Sequence, residues 1–196
     1  MTGMDETLAA RARNGDGPAL QLLLERHHGT AFRFSYRLLG SRADAQDVAQ
    51  DICMRVVEHI ASFRGESLFS TWLYRMVLNA CRDHQRRQRT ARTAEDGYAV
   101  YQADDVADWA DSDRRIRWLY RALDRLKPDL KETALLILAE DIRQEDAAVI
   151  LGISPGTVAW RMSEVTVELA VMTATEPARP AEPPSPVMTA AAPAVA

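Results

Sequence analysis

The sequence lacks the features that mark several common protein classes. Its 196 residues include only two cysteines, Cys53 and Cys81, which are too few for a disulfide framework or a zinc cluster. The longest uninterrupted aliphatic run, residues 134–139, is far too short to span a bilayer, and no apolar signal-peptide stretch begins the chain. These absences predict a cytoplasmic protein that does not insert into a membrane.

Motifs of the common enzyme classes are also missing. The sequence contains no P-loop, no GxGxxG, no HExxH and no GxSxG. The four histidines are scattered, and Cys81 with His84 offers only two candidate metal ligands. We therefore expect that the protein is not an enzyme and that it binds no metal or cofactor.

The net charge of -4 conceals an uneven distribution of charge. Residues 1–92 carry 14 basic and 10 acidic groups, for a net +4, whereas residues 93–113 carry seven acidic groups and no basic one. Residues 114–172 hold nine groups of each sign, and residues 173–196 have a net charge of -1. This segregation predicts modules with different partners, which the total charge does not reveal.

Capping residues and apolar periodicity predict helices throughout the first part of the chain. Asn14 or Asp16 is expected to cap a first helix, which ends at Gly40. Ser41 caps a second helix, whose apolar residues recur at a spacing of four, and Ser70 is predicted to cap a third. No β-hairpin signal appears, so the fold class is predicted to be all-α.

The second half of the chain predicts a helix-turn-helix. Helices are expected near residues 113–126, from Pro128 onward and over residues 144–151, with a turn at Gly152 and a last helix capped by Ser154. A helix, a tight turn with glycine and a capped helix form the pattern of many DNA-binding motifs. Helical hairpins without any role in DNA binding have the same pattern.

The third predicted helix carries residues suited to single-stranded nucleic acid. Arginines and one asparagine recur at spacings of four, three, four and three, which places them on one face. They are Arg75, Asn79, Arg82, Arg86 and Arg89. Trp72 lies one turn earlier, at the edge of that face. Arginines bind phosphates, an aromatic ring stacks on a base and an amide binds a base edge, although a solvated basic face has the same composition.

The second predicted helix presents the opposite charge. Asp47, Asp51, Met54 and Glu58 form one stripe, and Gln50 lies beside it. An acidic row with a methionine fits a basic protein surface. A solvated helix face is the alternative interpretation.

These segments together resemble the extracytoplasmic-function (ECF) sigma factors of bacterial RNA polymerase. The stretches DAQDVAQD, FRGES and TWLYRMVLN are similar to conserved region 2 of that family, and LGISPGTV is similar to its region 4. The resemblance implies region 2 in residues 1–92, an acidic linker in 93–112 and region 4 with its helix-turn-helix in 113–172. The remaining residues, 173–196, are predicted to form a disordered tail rich in proline and alanine.

The resemblance also implies roles for individual residues of region 2. The acidic helix face would dock on core RNA polymerase through Asp47, Gln50, Asp51 and Met54. A loop and the basic helix face would bind the melted strand of the -10 element and receive a flipped base. The residues implied there are Phe63, Phe69, Trp72, Arg75, Asn79, Arg82 and Arg86.

Region 4 departs from the pattern of the family, which follows the turn with several basic residues. The implied contacts with the -35 duplex are Ser154, Thr157, Trp160 and Arg161, and Arg161 is the only basic residue between Gln144 and Met172. Carboxylates nearby repel phosphates. Three outcomes stay open: a sigma factor of promoter DNA with weak -35 contact, a second half that binds protein, or a decoy that sequesters an anti-sigma factor without initiating transcription.

Overall fold

A computed structural model describes residues 2–94 and 114–175 of the chain, and every regular element in these two segments is a helix. The helices are α1 (Thr2–Arg13), α2 (Gly17–Leu39), α3 (Arg42–His59), α4 (Phe69–Ala94), α5 (Arg114–Asp124), α6 (Pro128–Ala134), α7 (Gln144–Leu151) and α8 (Pro155–Thr175). A 3₁₀ turn, Ile60–Ser62, follows α3, and a π-helical turn, Leu135–Ala139, continues α6. The all-α prediction is therefore confirmed, whereas the rest of the predicted linker and tail lies outside the described residues.

The helix boundaries in the first part follow from local signals. The Asp16 carboxylate caps α2 by accepting a hydrogen bond from the Ala19 N–H at 3.0 Å, and this bond and Arg11 lower the pKa of Asp16. Gly40 ends the helix at a φ of +71°, a conformation that glycine adopts without strain. Ser41 then caps α3, as its position before the apolar stripe predicts.

Two features of the first part differ from the expectation. The helix α1 was not predicted, although it packs against α2 and buries Leu8 and Ala9. The predicted cap at Ser70 is wrong, because α4 begins one residue earlier, at Phe69. The Phe69 N–H donates a hydrogen bond to Glu6 Oε1 of α1 at 3.2 Å. A residue distant in sequence thus satisfies a donor that the helix terminus leaves free.

Helices α1 to α4 enclose one apolar core. Its largest fully buried side chains include Leu23 and Phe34 of α2, Ile52 of α3, and Phe69 and Val77 of α4. The core-facing side of α4 is apolar and its opposite side is basic, so burial fixes which face of this helix is exposed.

The second part packs directly against the first. The π-helical turn after α6 buries Leu135 and Leu136, α7 buries Ile150, and α8 buries Val158. These residues belong to the same continuous apolar core as those of α1 to α4. Helix α4 is in contact with α7. The two parts described here therefore form a closed arrangement, in which one side of α4 faces the second part.

The predicted helix-turn-helix is present in α7 and α8. Gly152 ends α7 at a φ of +70°, and the Ser154 hydroxyl caps α8 by accepting a hydrogen bond from the Thr157 N–H at 3.1 Å. Pro155 occupies the first position of α8, where the missing N–H costs nothing. Helix α8 extends to Thr175, beyond the residues of the turn.

Candidate nucleic-acid interface

Most of the predicted basic stripe on α4 faces solvent. Arg75, Asn79, Arg86 and Arg89 are exposed, and Leu73 and Val77 on the opposite side are buried. Arg86 forms an exposed ion pair with Asp83 at 3.0 Å. Such a surface pair is weak, so a phosphate competes for Arg86 at little cost.

Arg82 belongs to the same stripe but has a protein partner. Its Nε and Nη2 atoms donate hydrogen bonds to the two carboxylate oxygens of Glu132, at 2.9 and 2.6 Å. These bonds raise the pKa of Arg82, which is charged in any case. Glu132 is buried on α6, so the second part of the chain occupies one position of the basic face.

A second carboxylate strengthens the contact between the two parts. Glu140 accepts a hydrogen bond from the Tyr74 hydroxyl at 2.6 Å, and it also pairs with the Arg37 guanidinium. Burial and the bond to Glu140 raise the pKa of Tyr74. Lys131 donates a hydrogen bond to the Leu38 carbonyl oxygen at 3.1 Å. The contact between the parts is thus polar as well as apolar.

The aromatic residues of the predicted -10 loop lie mostly inside the protein. Phe63 and Phe69 are 5% and 1% exposed, and their ring centroids lie 5.8 Å apart in an edge-on arrangement. Trp72 is half-buried and contacts both rings, at 5.4 and 5.7 Å. The sequence suggested that both phenylalanines contact the DNA strand directly, which does not fit their burial. Their rings instead anchor the two ends of the loop. The exposed residues of the loop are 64–66.

Helix α1 holds this loop at both of its ends. Arg13 Nη1 donates a hydrogen bond to the Phe63 carbonyl oxygen at 3.4 Å, and Glu6 accepts the one from the Phe69 N–H. Asp5 fixes α1 on α2 through Arg26 and His27, each at 3.2 Å. Burial lowers the pKa of His27, whose ring centroid lies 5.1 Å from that of Phe69. An element that the sequence did not predict therefore positions the loop.

We expect Glu6→Ala to lower the free energy of unfolding by about 1 to 2 kcal/mol, because the buried Phe69 N–H loses its acceptor. Urea unfolding of the full chain measures this difference. Thr7→Ala is the matched control, since the Thr7 hydroxyl bonds to the Gly3 carbonyl oxygen on the exposed side of α1. Equal stability of the two variants would contradict a role for Glu6 in capping α4.

Three of the four α3 residues implied to dock on core polymerase are exposed. Asp47 and Gln50 are exposed, and Met54 is 58% exposed. Asp51 pairs with Arg55 one turn away, at 2.8 Å. Val57, 51% exposed, extends the apolar part of this surface.

The residues predicted to contact the -35 duplex do not form one basic surface. Ser154 and Thr157 are hydrogen-bonded to each other at 2.9 Å in the cap of α8, and Trp160 is 58% exposed. The side chain of Arg161 is only 16% exposed, and its Nη2 lies 3.4 Å from Asp129 Oδ2. The one cation of the helix therefore points towards α6 and away from solvent.

The candidate metal ligands do not come together. Cys81 is buried beside a cleft of about 290 Å³ lined by α2, α4 and α6, and burial raises the pKa of its thiol to about 12. His84 pairs with Asp44 at 3.1 Å. In the described part of the chain, no three histidine, cysteine or acidic residues are grouped as a metal site requires. None of the described helices is both long and apolar enough to cross a membrane.

Comparisons with known proteins show that the chain is similar to sigma factors of RNA polymerase. Residues 23–91 match the family model described as Sigma-70 region 2. The chain is 32% identical over 167 residues to the ECF RNA polymerase sigma factor SigM of Mycobacterium tuberculosis, covering 84% of this chain and 82% of that protein. It is 30% identical over 169 residues to the ECF RNA polymerase sigma-E factor of Haemophilus influenzae, covering 81% of this chain and 89% of that protein.

The fold is also similar to that of a solved structure. CnrH, which was solved in complex with the cytosolic domain of CnrY, superposes with a TM-score of 0.67 and 26% sequence identity. The similarity covers 88% of this chain and 99% of that one. The match extends over both parts of the chain and not only over the segment with the basic helix.

Proposed function

This chain belongs to the ECF sigma factors of RNA polymerase. From that premise we propose which partner each of its surfaces binds during transcription initiation. Its function is that of an alternative sigma factor, which directs core RNA polymerase to promoters. Such a protein uses binding energy and carries out no covalent chemistry, in line with its regulatory relatives. The observation that supports our assignment is the exposed row of arginines and Asn79 on α4, inside the segment that matches region 2.

Core polymerase is the first partner, and α3 is the surface proposed for it. Asp47, Gln50, Asp51 and Met54 offer carboxylates and an amide around an exposed thioether. Charges at the edge of an interface direct association, and a flexible apolar residue at its centre supplies contact area. A basic, partly apolar surface on the polymerase complements this face.

Promoter DNA is the second partner, and α4 with the preceding loop is the surface proposed for the -10 element. Arg75 and Arg86 bind phosphates of the melted strand, while Asn79 binds the edge of an unstacked base. Extruding a base costs a few kcal/mol, which contacts to the right base offset. Phe63 and Phe69 act indirectly in this proposal, since their buried rings hold the loop in place.

Arg82 reaches the strand only after the closed arrangement opens. Its guanidinium is bound on two atoms by Glu132, in the same geometry in which it would bind a phosphate. Binding to polymerase and DNA exchanges the carboxylate for a phosphate, so the charge of Arg82 stays compensated. This step separates the proposed region 2, residues 1–92, from the proposed region 4, residues 113–172.

The -35 contact is the weakest part of the proposed function. Ser154, Thr157 and Trp160 lie on or near the exposed side of α8, but Arg161 is paired with Asp129. Loss of cations removes the counterion release that supplies most of the affinity for duplex DNA. We infer that promoter selection by this chain depends mainly on the -10 element.

An anti-sigma factor is a third proposed partner. CnrH was solved in complex with the cytosolic domain of CnrY, and its similarity to this chain supports a protein partner here, which we propose to be an anti-sigma factor. The decoy hypothesis is not favoured, because the relatives are sigma factors and a decoy needs no exposed strand-binding face. We place the protein in the cytoplasm, where RNA polymerase works.

Run-off transcription with purified core polymerase tests the proposed function. Templates carrying candidate promoters from the same genome are expected to give transcripts only when the full chain is added. Templates with a changed -10 element are expected to lose most of the signal, whereas changes in the -35 element should have a smaller effect. Absence of transcripts from every template, with tight binding of an anti-sigma factor, would restore the decoy hypothesis.

A further inference from the structure

A cation of α1 stands beside the loop between Phe63 and Phe69. Arg13 is the last residue of α1 and is exposed. Its Nη1 donates a hydrogen bond to the Phe63 carbonyl oxygen at 3.4 Å, which is longer than most bonds of this kind. In the described part of the chain, no carboxylate pairs with Arg13. A guanidinium has five N–H donors, so this long bond leaves it able to bind a further acceptor.

The loop adds a second cation at the same point. Arg64 follows Phe63 directly, and its side chain is 81% exposed. Its Nη1 lies 3.8 Å from Glu66 Oε1, and because both side chains are exposed, water and salt weaken this pair. Two guanidinium groups therefore belong to, or are bonded to, adjacent residues at the first end of the loop.

Phe63 connects these two cations with the basic face of α4. Its ring centroid lies 5.4 Å from that of Trp72, which is one helical turn before Arg75. The loop thus has cations at its first end and the arginines of α4 after its second end. A strand that places one base in the loop continues in both directions, so its phosphates pass cations on both sides.

The neighbouring cation of α1 does not share this position. Arg11 Nη2 lies 2.7 Å from Asp16 Oδ2, and Arg11 Nε donates a hydrogen bond to the same oxygen at 2.8 Å. Residues two positions apart on a helix do not face each other. Arg11 therefore pairs with the residue that caps α2, whereas Arg13 bonds to the loop.

We propose that Arg13 binds a phosphate of the strand whose base enters the loop, so that α1 forms a second side of the -10 site. This inference rests on the proposed binding of the -10 strand and adds a residue to it. The bond to Phe63 holds the guanidinium beside the loop before DNA arrives, so binding orders it at little further cost in conformational entropy. A guanidinium also matches the geometry of a phosphate through paired N–H donors.

A purely structural role of Arg13 leads to a different expectation. If the bond to the Phe63 carbonyl oxygen only positions the loop, an uncharged donor serves equally well. Arg13→Gln offers such a donor in its amide and removes the charge. The two roles therefore differ in their dependence on salt, because only a phosphate contact releases counterions from the strand.

Binding of a single-stranded -10 oligonucleotide to core polymerase carrying the full chain tests the proposal. Arg13→Gln is expected to weaken binding about fivefold and to reduce the slope of log affinity against log salt by about 0.7, the value for one phosphate of a single strand. Arg13→Lys should restore most of this slope, because it restores the charge. Arg11→Gln makes the same change of charge two residues away and should leave the affinity within about twofold.

Oligonucleotides with a neutral methylphosphonate at one position locate the contact. Each of them is measured with the unchanged chain and with Arg13→Gln. At one position beside the received base, the neutral group is expected to weaken binding of the unchanged chain and to have no further effect on Arg13→Gln. Both changes remove the same contact there, whereas at other positions their effects on the binding free energy should add.

Two results would overturn the inference. Weaker binding of Arg13→Gln with an unchanged salt slope would mean that Arg13 only positions the loop. Equal effects of Arg13→Gln and Arg11→Gln would mean that the charge of α1 attracts DNA without a defined contact. Asn79→Ala identifies which proposal has failed: weaker binding of this variant alone would reject the role of Arg13, whereas full binding of both variants would reject the proposed -10 site.

Discussion

Asn79→Ala is expected to slow promoter opening by one to two orders of magnitude while binding to core polymerase stays unchanged. The amide of Asn79 is exposed at the centre of the basic face of α4, between Arg75 and Arg86. A well-placed side chain that binds a base edge discriminates by about 1 to 3 kcal/mol, which corresponds to roughly 5- to 150-fold. Fluorescence of a base analogue in the -10 element measures the opening rate.

The dependence on salt separates the role of Asn79 from that of the arginines. Removing an uncharged amide leaves the slope of affinity against salt concentration unchanged, whereas Arg75→Ala is expected to reduce it by about one unit, because one phosphate contact is lost. Gln21→Ala is a suitable control, since Gln21 is another exposed amide that bonds to Glu25 on α2. Loss of core binding in Asn79→Ala would mean that this face of α4 has a structural role.

The sequence predicts those parts of the fold that short-range signals determine. Asp16, Gly40, Ser41, Gly152 and Ser154 each define a helix boundary through a bond or a dihedral angle within a few residues, and all five have the predicted role. The basic stripe on α4 is predicted for the same reason, because the helical period alone places its members on one face.

Long-range contacts explain what the sequence did not predict. Helix α1 has no strong capping signal. It positions the loop through long-range hydrogen bonds: Glu6 bonds to Phe69, 63 positions later in the chain, and Arg13 bonds to Phe63, 50 positions later. The start of α4 depends on one of these bonds. The residues of such pairs are ordinary surface types in the sequence, so no local pattern marks them.

The candidate site shows the same division between local and distant information. That Phe63 and Phe69 are buried follows from the packing of α1, α3 and α4, which a loop motif does not reveal. That Arg161 turns towards α6 follows from Asp129, 32 positions earlier. The net charge of the last helices predicts weak duplex contact, whereas the internal partner of the remaining cation is visible only in the structure.

Arg82 and Glu132 form a contact whose two members are expected to contribute unequally to the free energy of unfolding. Glu132 is 9% exposed, whereas the Arg82 side chain is 40% exposed and reaches water easily. Arg82→Ala leaves a buried carboxylate without its partner, which costs about 3 kcal/mol of unfolding free energy. Glu132→Ala leaves a guanidinium that water solvates, so its cost is expected to be only about 1 kcal/mol.

Urea unfolding of the two single variants and the double variant measures this asymmetry. The double variant is expected to be more stable than Arg82→Ala, because removing Glu132 as well eliminates the unpaired carboxylate. Asp146→Ala is the matched control, since its pair with Arg143, at 2.9 Å, lies on the surface and should contribute less than about 1 kcal/mol. Equal costs for the two single variants would contradict the burial of Glu132.

Glu132→Ala also tests whether the contact between the two parts of the chain limits DNA binding. Glu132→Ala releases Arg82 for a phosphate, so the affinity of the free chain for a single-stranded oligonucleotide of the -10 element is expected to rise about fivefold. The gain should disappear when Arg82 is also replaced, because the effect of Glu132 acts through that guanidinium. A gain that persists in the double variant would instead indicate that Glu132 acts on the whole basic face as a repelling charge. An unchanged affinity in Glu132→Ala would mean that Arg82 does not face the strand, and Arg75, Asn79 and Arg86 would then form the complete binding row.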